Sequence, residues 1–117
     1  MTAAPSRDCL FCKIVAEEVP ADVVLATDRA LAFRDIDPQA PTHVLVVPRS
    51  HQQNAAGTAA VEPETVAHLV EVADRVASQE GLTDYRLVFN TGAGVGQSVF
   101  HTHLHVLGGR SMSWPPG

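Results

Sequence analysis

No segment limits the fold of this chain more than Phe100-His-Thr-His-Leu-His-Val106, in which His101, His103 and His105 alternate with Thr102, Leu104 and Val106. Side chains of an extended segment point alternately to opposite faces, so this spacing puts three imidazoles on one face and an apolar row on the other. One face then belongs to a core and the other to a polar site. A single histidine reads first as a scattered core or surface residue. Three in register on one strand, half of the six in the chain, argue against that reading.

The rest of the chain supplies partners for such a strand. Leu10, Phe11 and Ile14 recur at near-helical spacing before Pro20 bars continuation, which predicts a short helix within residues 9–17. Val23 to Ala26 and Ala30 to Arg34 are short apolar runs joined by Thr-Asp-Arg, as in a hairpin, and His43 to Val47, ended by Pro48, reads as a third strand. Val66, Leu69, Val70, Ala73, Val76 and Ala77 mark one face of a long helix, with Pro63 in its first turn and Gly81 just past its end. Tyr85 to Thr91 and Val99 to Gly108 complete the strands, with the loop Gly92-Ala-Gly-Val-Gly-Gln97 between them. The expectation is a single α+β domain: an antiparallel sheet of about five strands, two helices against it, and the site along the last strand. His68, on the long helix, is expected to face solvent or a helix neighbour, without a role.

A chain of 117 residues with 45% hydrophobic content can bury one core without disulfides. No stretch reaches the roughly 18 apolar residues of a membrane helix, and Met1 to Asp8 lack an apolar signal core, so the expected setting is the cytoplasm. A net charge of -5, one lysine (Lys13) and no basic cluster argue against polymeric nucleic acid as a partner. Screening over about 8 Å still permits a locally positive site for one anion. Cys9 and Cys12 are too close in sequence to staple a fold and read as half a metal site, a redox pair or two reduced buried thiols.

Two chemistries suit a row of imidazoles: metal ligation, or phosphoryl transfer with one ring as nucleophile and its neighbours as donors. Gly92, Gly94 and Gly96 let the backbone approach a ligand, and Gln97 and Ser98 add donors just before the histidines, so the loop can cradle a phosphate. It is not a Walker loop, lacking Gly-Lys-Ser/Thr, and a strand rather than a helix follows, unlike a Rossmann fingerprint. Taken alone, it reads equally as a flexible hairpin loop.

His101-Thr-His-Leu-His-Val-Leu107 resembles the motif of the histidine-triad (HIT) nucleotide-binding proteins. Asp35-Ile-Asp-Pro-Gln-Ala-Pro-Thr-His43, Asn90, Gly96-Gln-Ser-Val99 and Gly108-Gly-Arg-Ser-Met-Ser-Trp-Pro-Pro-Gly117 are similar to the phosphoramidase branch. The resemblance covers residues 9–117 as one HIT domain, with residues 1–8 expected as a disordered extension. It implies that His103 is the nucleophile, that His101 and His105 orient it and hold the phosphate, and that His43 completes the cluster. Ser98 would sit at the phosphate and leaving group, with Asn90, Gly96 and Gln97 beside it. Asp35 would hold the ribose hydroxyls, a task suited to a carboxylate, and Leu10, Phe11, Phe33 and Ile36 would surround the purine. Each of those apolar residues reads equally as core packing, and Asp35 as a turn residue. Some relatives carry Cys-x-x-Cys and bind zinc; the corresponding set here is Cys9, Cys12, His51 and His101, a closed tetrahedral set suited to structural zinc. His51 also reads as a plain surface histidine. The resemblance further implies a homodimer, with Trp114 in a tail reaching the partner's site; simple anchoring of the tail is the alternative.

The function implied is hydrolysis of purine nucleoside phosphoramidates through a nucleotidyl-histidine intermediate, with no cofactor needed for the chemistry. Three other readings compete: a hydrolase of dinucleoside polyphosphates or adenylyl sulfate on the same fold, a nucleotide-sensing scaffold with incidental hydrolysis, and a catalytic zinc held by the three histidines.

Overall fold

The computed structural model describes residues 8–117, so the extension expected over residues 1–8 lies, except for Asp8, outside the described residues. Five antiparallel strands form one sheet in the order β1-β2-β3-β5-β4: β1 (Val23–Ala26), β2 (Ala30–Arg34), β3 (Thr42–Pro48), β4 (Tyr85–Val88) and β5 (Leu104–Gly108). Two helices cover it as expected, α1 (Leu10–Val15) and the long α3 (Pro63–Gln79), and a third, α2 (Ala55–Val61), occupies a stretch where the sequence suggested no element.

The two faces of the sheet bury different sets. Ala30, Ala32, Val44, Val46, Leu104 and Val106 pack against Leu69, Val72, Ala73 and Val76 of α3. The alternate residues Leu31, Phe33, Leu45 and Val47 pack against Cys9, Phe11, Cys12 and Ile14 at α1. Central strands β2 and β3 are therefore apolar on both faces, and β3 is buried along its whole length.

Three local expectations change. The buried stripe of α3 runs through Thr65, Leu69, Val72, Ala73, Val76 and Ala77, leaving Val70 exposed, because the helix is rotated to set Thr65 and Val72 inward. His68 is half-buried rather than fully solvent-facing, and its Nε2 lies 2.8 Å from Thr27 Oγ1 in the β1–β2 turn, a partner outside its own helix. The histidine strand pairs with β3 only from Leu104, opposite Val46, while Thr102 N–H donates to the Gln52 carbonyl instead. The alternation survives this departure from the ladder. Thr102 Oγ1 meets Thr58 Oγ1 of α2 at 2.8 Å on the helical side, and His101 and His103 lie edge-on to Phe11 on the other.

Candidate active site and metal centre

Backbone groups decide which nitrogen carries the proton in His43, His101 and His103. His103 Nδ1 lies 2.8 Å from the carbonyl oxygen of His101. A carbonyl only accepts, so Nδ1 is the N–H and Nε2 keeps the lone pair. Burial pushes the His103 pKa down, against the bond to His101 and the charge of Asp35, so the ring is neutral at pH 7.

A second chain of protons starts at Gln39, whose backbone N–H donates to His43 Nδ1 at 3.0 Å. His43 Nε2 is therefore protonated; it lies 2.9 Å from His105 Nδ1 and 3.4 Å from Asp35 Oδ2. His105 Nδ1 then accepts, which leaves the proton on His105 Nε2, a buried atom with no hydrogen-bond partner among the described residues. Burial, then the neighbouring His103 and His43, bring the His105 pKa down to about 4. Burial also lowers that of His43, against Asp35 and Asp37. A neutral ring with its lone pair on Nε2 thus stands beside a neutral ring with its N–H on Nε2, their ring centres 5.0 Å apart.

His103, His105 and His43 open on a cleft of about 680 Å3 whose walls include Leu10, Phe11, Phe33, Asp35, Ile36, Gly96 and Ser98. The cleft thus gathers most of the residues expected to hold a nucleotide. Asp35 Oδ1 accepts the Asp37 N–H at 2.8 Å, the turn role open to it from sequence, while its other oxygen faces His43. Ile36 is 99% exposed and forms an outer lip.

Three expected residues sit elsewhere. Gln97 is buried behind the loop: Oε1 accepts from Gly92 N–H at 2.8 Å, and Nε2 donates to the carbonyls of Gln53 at 2.6 Å and Val99 at 3.2 Å. Its side chain holds the loop and does not line the cleft. Asn90 stands behind Gly96, where a Cβ would come 3.9 Å from its Nδ2. Gly96 itself has φ of +99°, a left-handed conformation that ends the short turn Ala93–Val95. Trp114 is 83% exposed and away from the cleft of its own chain. Residues the sequence did not single out are Ile14, Leu45 and Val99 in the wall, and Gln39, which acts through its backbone. Apolar alternation could have found Leu45; a backbone donor leaves no residue-type signal.

His101 is fully buried and its side chain does not reach the cleft. Its Nε2 donates to the Pro48 carbonyl at 2.9 Å, so Nδ1 is the lone pair. That lone pair faces Cys9 Sγ at 3.3 Å, Cys12 Sγ at 3.4 Å and His51 Nδ1 at 3.1 Å, with Cys12 Sγ 3.3 Å from His51 Nδ1. Bond lengths to tetrahedral zinc imply S–N edges of about 3.5 Å and N–N edges of about 3.3 Å, close to this set. Cys9 Sγ also caps α1 by accepting the Cys12 N–H at 3.2 Å. A second group, Asp35, His43 and His105, is equally compact, but the Gln39 N–H occupies His43 Nδ1 and forces the proton onto the nitrogen a metal would need. The proton arrangement therefore opposes a metal at the second cluster, whereas in the cysteine-containing one it leaves His101 Nδ1 free to bind.

The HIT domain family model matches residues 16–112. An uncharacterized HIT-like protein of Synechococcus elongatus is 49% identical over 96% of this chain and 99% of its own length. A 14 kDa zinc-binding protein of Zea mays is 49% identical over 92% of this chain and 87% of its own. Among solved structures, a HIT family hydrolase of Legionella pneumophila superposes with TM-score 0.89 at 50% identity, covering 94% of this chain and all of the other (100%). Domain match, sequence kinship and superposition agree with the imidazole row that leads into β5, and the chain belongs to the HIT family.

Proposed function

We propose that this protein is a hydrolase that cleaves purine nucleoside phosphoramidates, of the type AMP joined to an amine, through a nucleotidyl intermediate on His103. The observation that carries the reading is the 2.8 Å bond from His103 Nδ1 to the His101 carbonyl, which leaves a neutral Nε2 lone pair on a ring lining the cleft. Structural relatives named HIT family hydrolases support the hydrolase class.

In the first step Nε2 attacks phosphorus, a P–Nε2 bond forms, and the P–N bond to the amine breaks. The amine leaves with the bond electrons and takes up a proton from solvent water in the open cleft. Water then attacks phosphorus and returns a proton to solvent, the P–Nε2 bond breaks, and AMP departs as His103 regains its lone pair. His105 Nε2–H donates to a phosphate oxygen, and Ser98 stands at the cleft edge beside the leaving group. A well-aimed donor of this kind contributes about 3 kcal/mol. Asp35 accepts the ribose hydroxyls, and Phe11, Phe33, Leu10 and Ile36 enclose the purine.

Cys9, Cys12, His51 and His101 would hold zinc, which would supply a structural crosslink between α1 and the histidine segment. The relative named a zinc-binding protein supports that assignment. A homodimer belongs to the same reading, with the exposed Trp114 available to a second copy. So does a cytoplasmic setting, where reducing conditions keep thiols available to a metal.

Trapping tests the reading. Protein and a His103→Ala variant are mixed with an adenosine phosphoramidate, quenched rapidly and weighed intact. An added AMP mass in the wild type alone, with AMP release, is the expected result. Release at the wild-type rate by His103→Ala would refute the nucleophile. Nucleotide binding with negligible turnover would favour a sensing scaffold.

A further inference from the structure

We infer that His101 is a positioning residue through which the metal cluster sets the orientation of the nucleophile; the inference rests on the reading of His103 given above. One residue faces both sites. Its ring Nδ1 points into the Cys9, Cys12 and His51 cluster, and its backbone carbonyl accepts the His103 Nδ1–H at 2.8 Å.

The sheet does not fix that carbonyl, because β3 pairing starts at Leu104, three residues further on. Residues 100–103 hang from three ties instead. Thr102 is held by Gln52 and Thr58, the His101 ring by the Pro48 carbonyl, and the same ring by the cysteine and histidine cluster.

A further route runs through α1. Cys9 and Cys12 open that helix, and Phe11 between them stands edge-on to the rings of both His101, at 6.0 Å, and His103, at 5.0 Å. Binding at the cluster would therefore fix the His103 ring twice, through its hydrogen-bond acceptor and through the Phe11 ring packed at 84° to it. Without a bound ion only weak thiol and imidazole hydrogen bonds of 3.1–3.4 Å hold two sulfurs and two ring nitrogens together, and the set is freer to spread than one joined by metal bonds. Spreading moves the His101 peptide and weakens the bond that keeps the His103 proton on Nδ1.

His51 is the place to test this, since it belongs to the cluster and meets Cys12 and His101 but makes no hydrogen bond or ring contact with His103 or Phe11 among the described residues. Zinc content, the tautomer of each ring by two-bond 1H–15N spectra of histidine-labelled protein, and the rate of AMP adduct formation are measured in wild type, His51→Ala and His51→Cys. Wild type is expected to hold one zinc and a single Nδ1–H tautomer at His103. His51→Ala is expected to lose zinc, show mixed tautomers at His103, and form adduct about 10–100-fold more slowly. His51→Cys, which restores four donors, should recover all three.

Zinc-free, folded His51→Ala that keeps the pure Nδ1–H tautomer overturns the inference, whatever its rate. Should that variant fail to fold, His51→Asp, with a weaker fourth donor, is read by the same two criteria. If no variant or wild type forms an adduct, the functional reading fails, while the tautomer spectra still decide the coupling.

Discussion

Replacing Gln97 tests whether the glycine-rich loop is held by one buried amide. Its side chain, 3% exposed, spans three backbone partners: the Gly92 N–H and the carbonyls of Gln53 and Val99. Gln97→Ala deletes three hydrogen bonds, each contributing about 1 kcal/mol net, so the expected loss is about 3 kcal/mol. For a domain of this size that lowers Tm by roughly 10–15 °C. Gln97→Glu gives the sharper test. Its carboxylate can still accept from Gly92, but its second oxygen meets two carbonyl oxygens in place of a donor. At pH 7 Gln97→Glu should therefore be less stable than Gln97→Ala although it is the closer isostere, and the gap should narrow as the carboxylate protonates at lower pH. Urea unfolding at two pH values gives both numbers. A loss below about 1 kcal/mol for Gln97→Ala, or a more stable Gln97→Glu at pH 7, would refute the clamp.

Other perturbations follow from the same geometry. His105, with its pKa brought down to about 4, stays neutral in the fold while the unfolded chain takes up its proton below about pH 6.5. Its contribution is complete above that value and is lost as pH falls towards 4, about 3 kcal/mol in all. Urea midpoints should therefore fall less steeply with pH in His105→Gln, and parallel curves would contradict the assignment. Leu104, 1% exposed where β5 meets α3, should lose about 2–5 kcal/mol on replacement by alanine, read by the same unfolding assay. His43→Ala removes the donor that holds the His105 proton on Nε2; single-turnover adduct formation should slow about 10–100-fold, and an unchanged rate would show that the ring needs no such support.

Much of this arrangement is legible in the residues themselves. The alternation of His101, His103 and His105 with Thr102, Leu104 and Val106 reports the two faces correctly even where the ladder has ended, because side-chain direction follows the extended backbone rather than its pairing. The early loss of pairing is not legible, since it depends on Gln52 offering a carbonyl to Thr102 across the fold. Helix α2 escapes notice because its small residues bury only Thr58; the Asn54 cap, accepting from Gly57 N–H, was the one local sign. Val70 and Val72 are equally apolar, and only the rotation of α3 on the sheet decides between them. Gln97 shows the limit for the site: residue type marks a donor in the glycine-rich loop, but its direction, inward to Gln53 and Val99, comes from tertiary structure.

In each of His43, His101 and His103 a main-chain group, the Gln39 N–H, the Pro48 carbonyl or the His101 carbonyl, selects the working tautomer. Main-chain groups are not altered when a side chain is exchanged. On the proposed function, the rim of the cleft at Leu10, Ile36 or Ser98 can accordingly be remodelled, by drift or by design, to accept a different base or leaving group while the proton arrangement, a lone pair on His103 Nε2 beside an N–H on His105 Nε2, stays in place. Reactivity is written into the trace of the chain, and preference is left to the side chains around it.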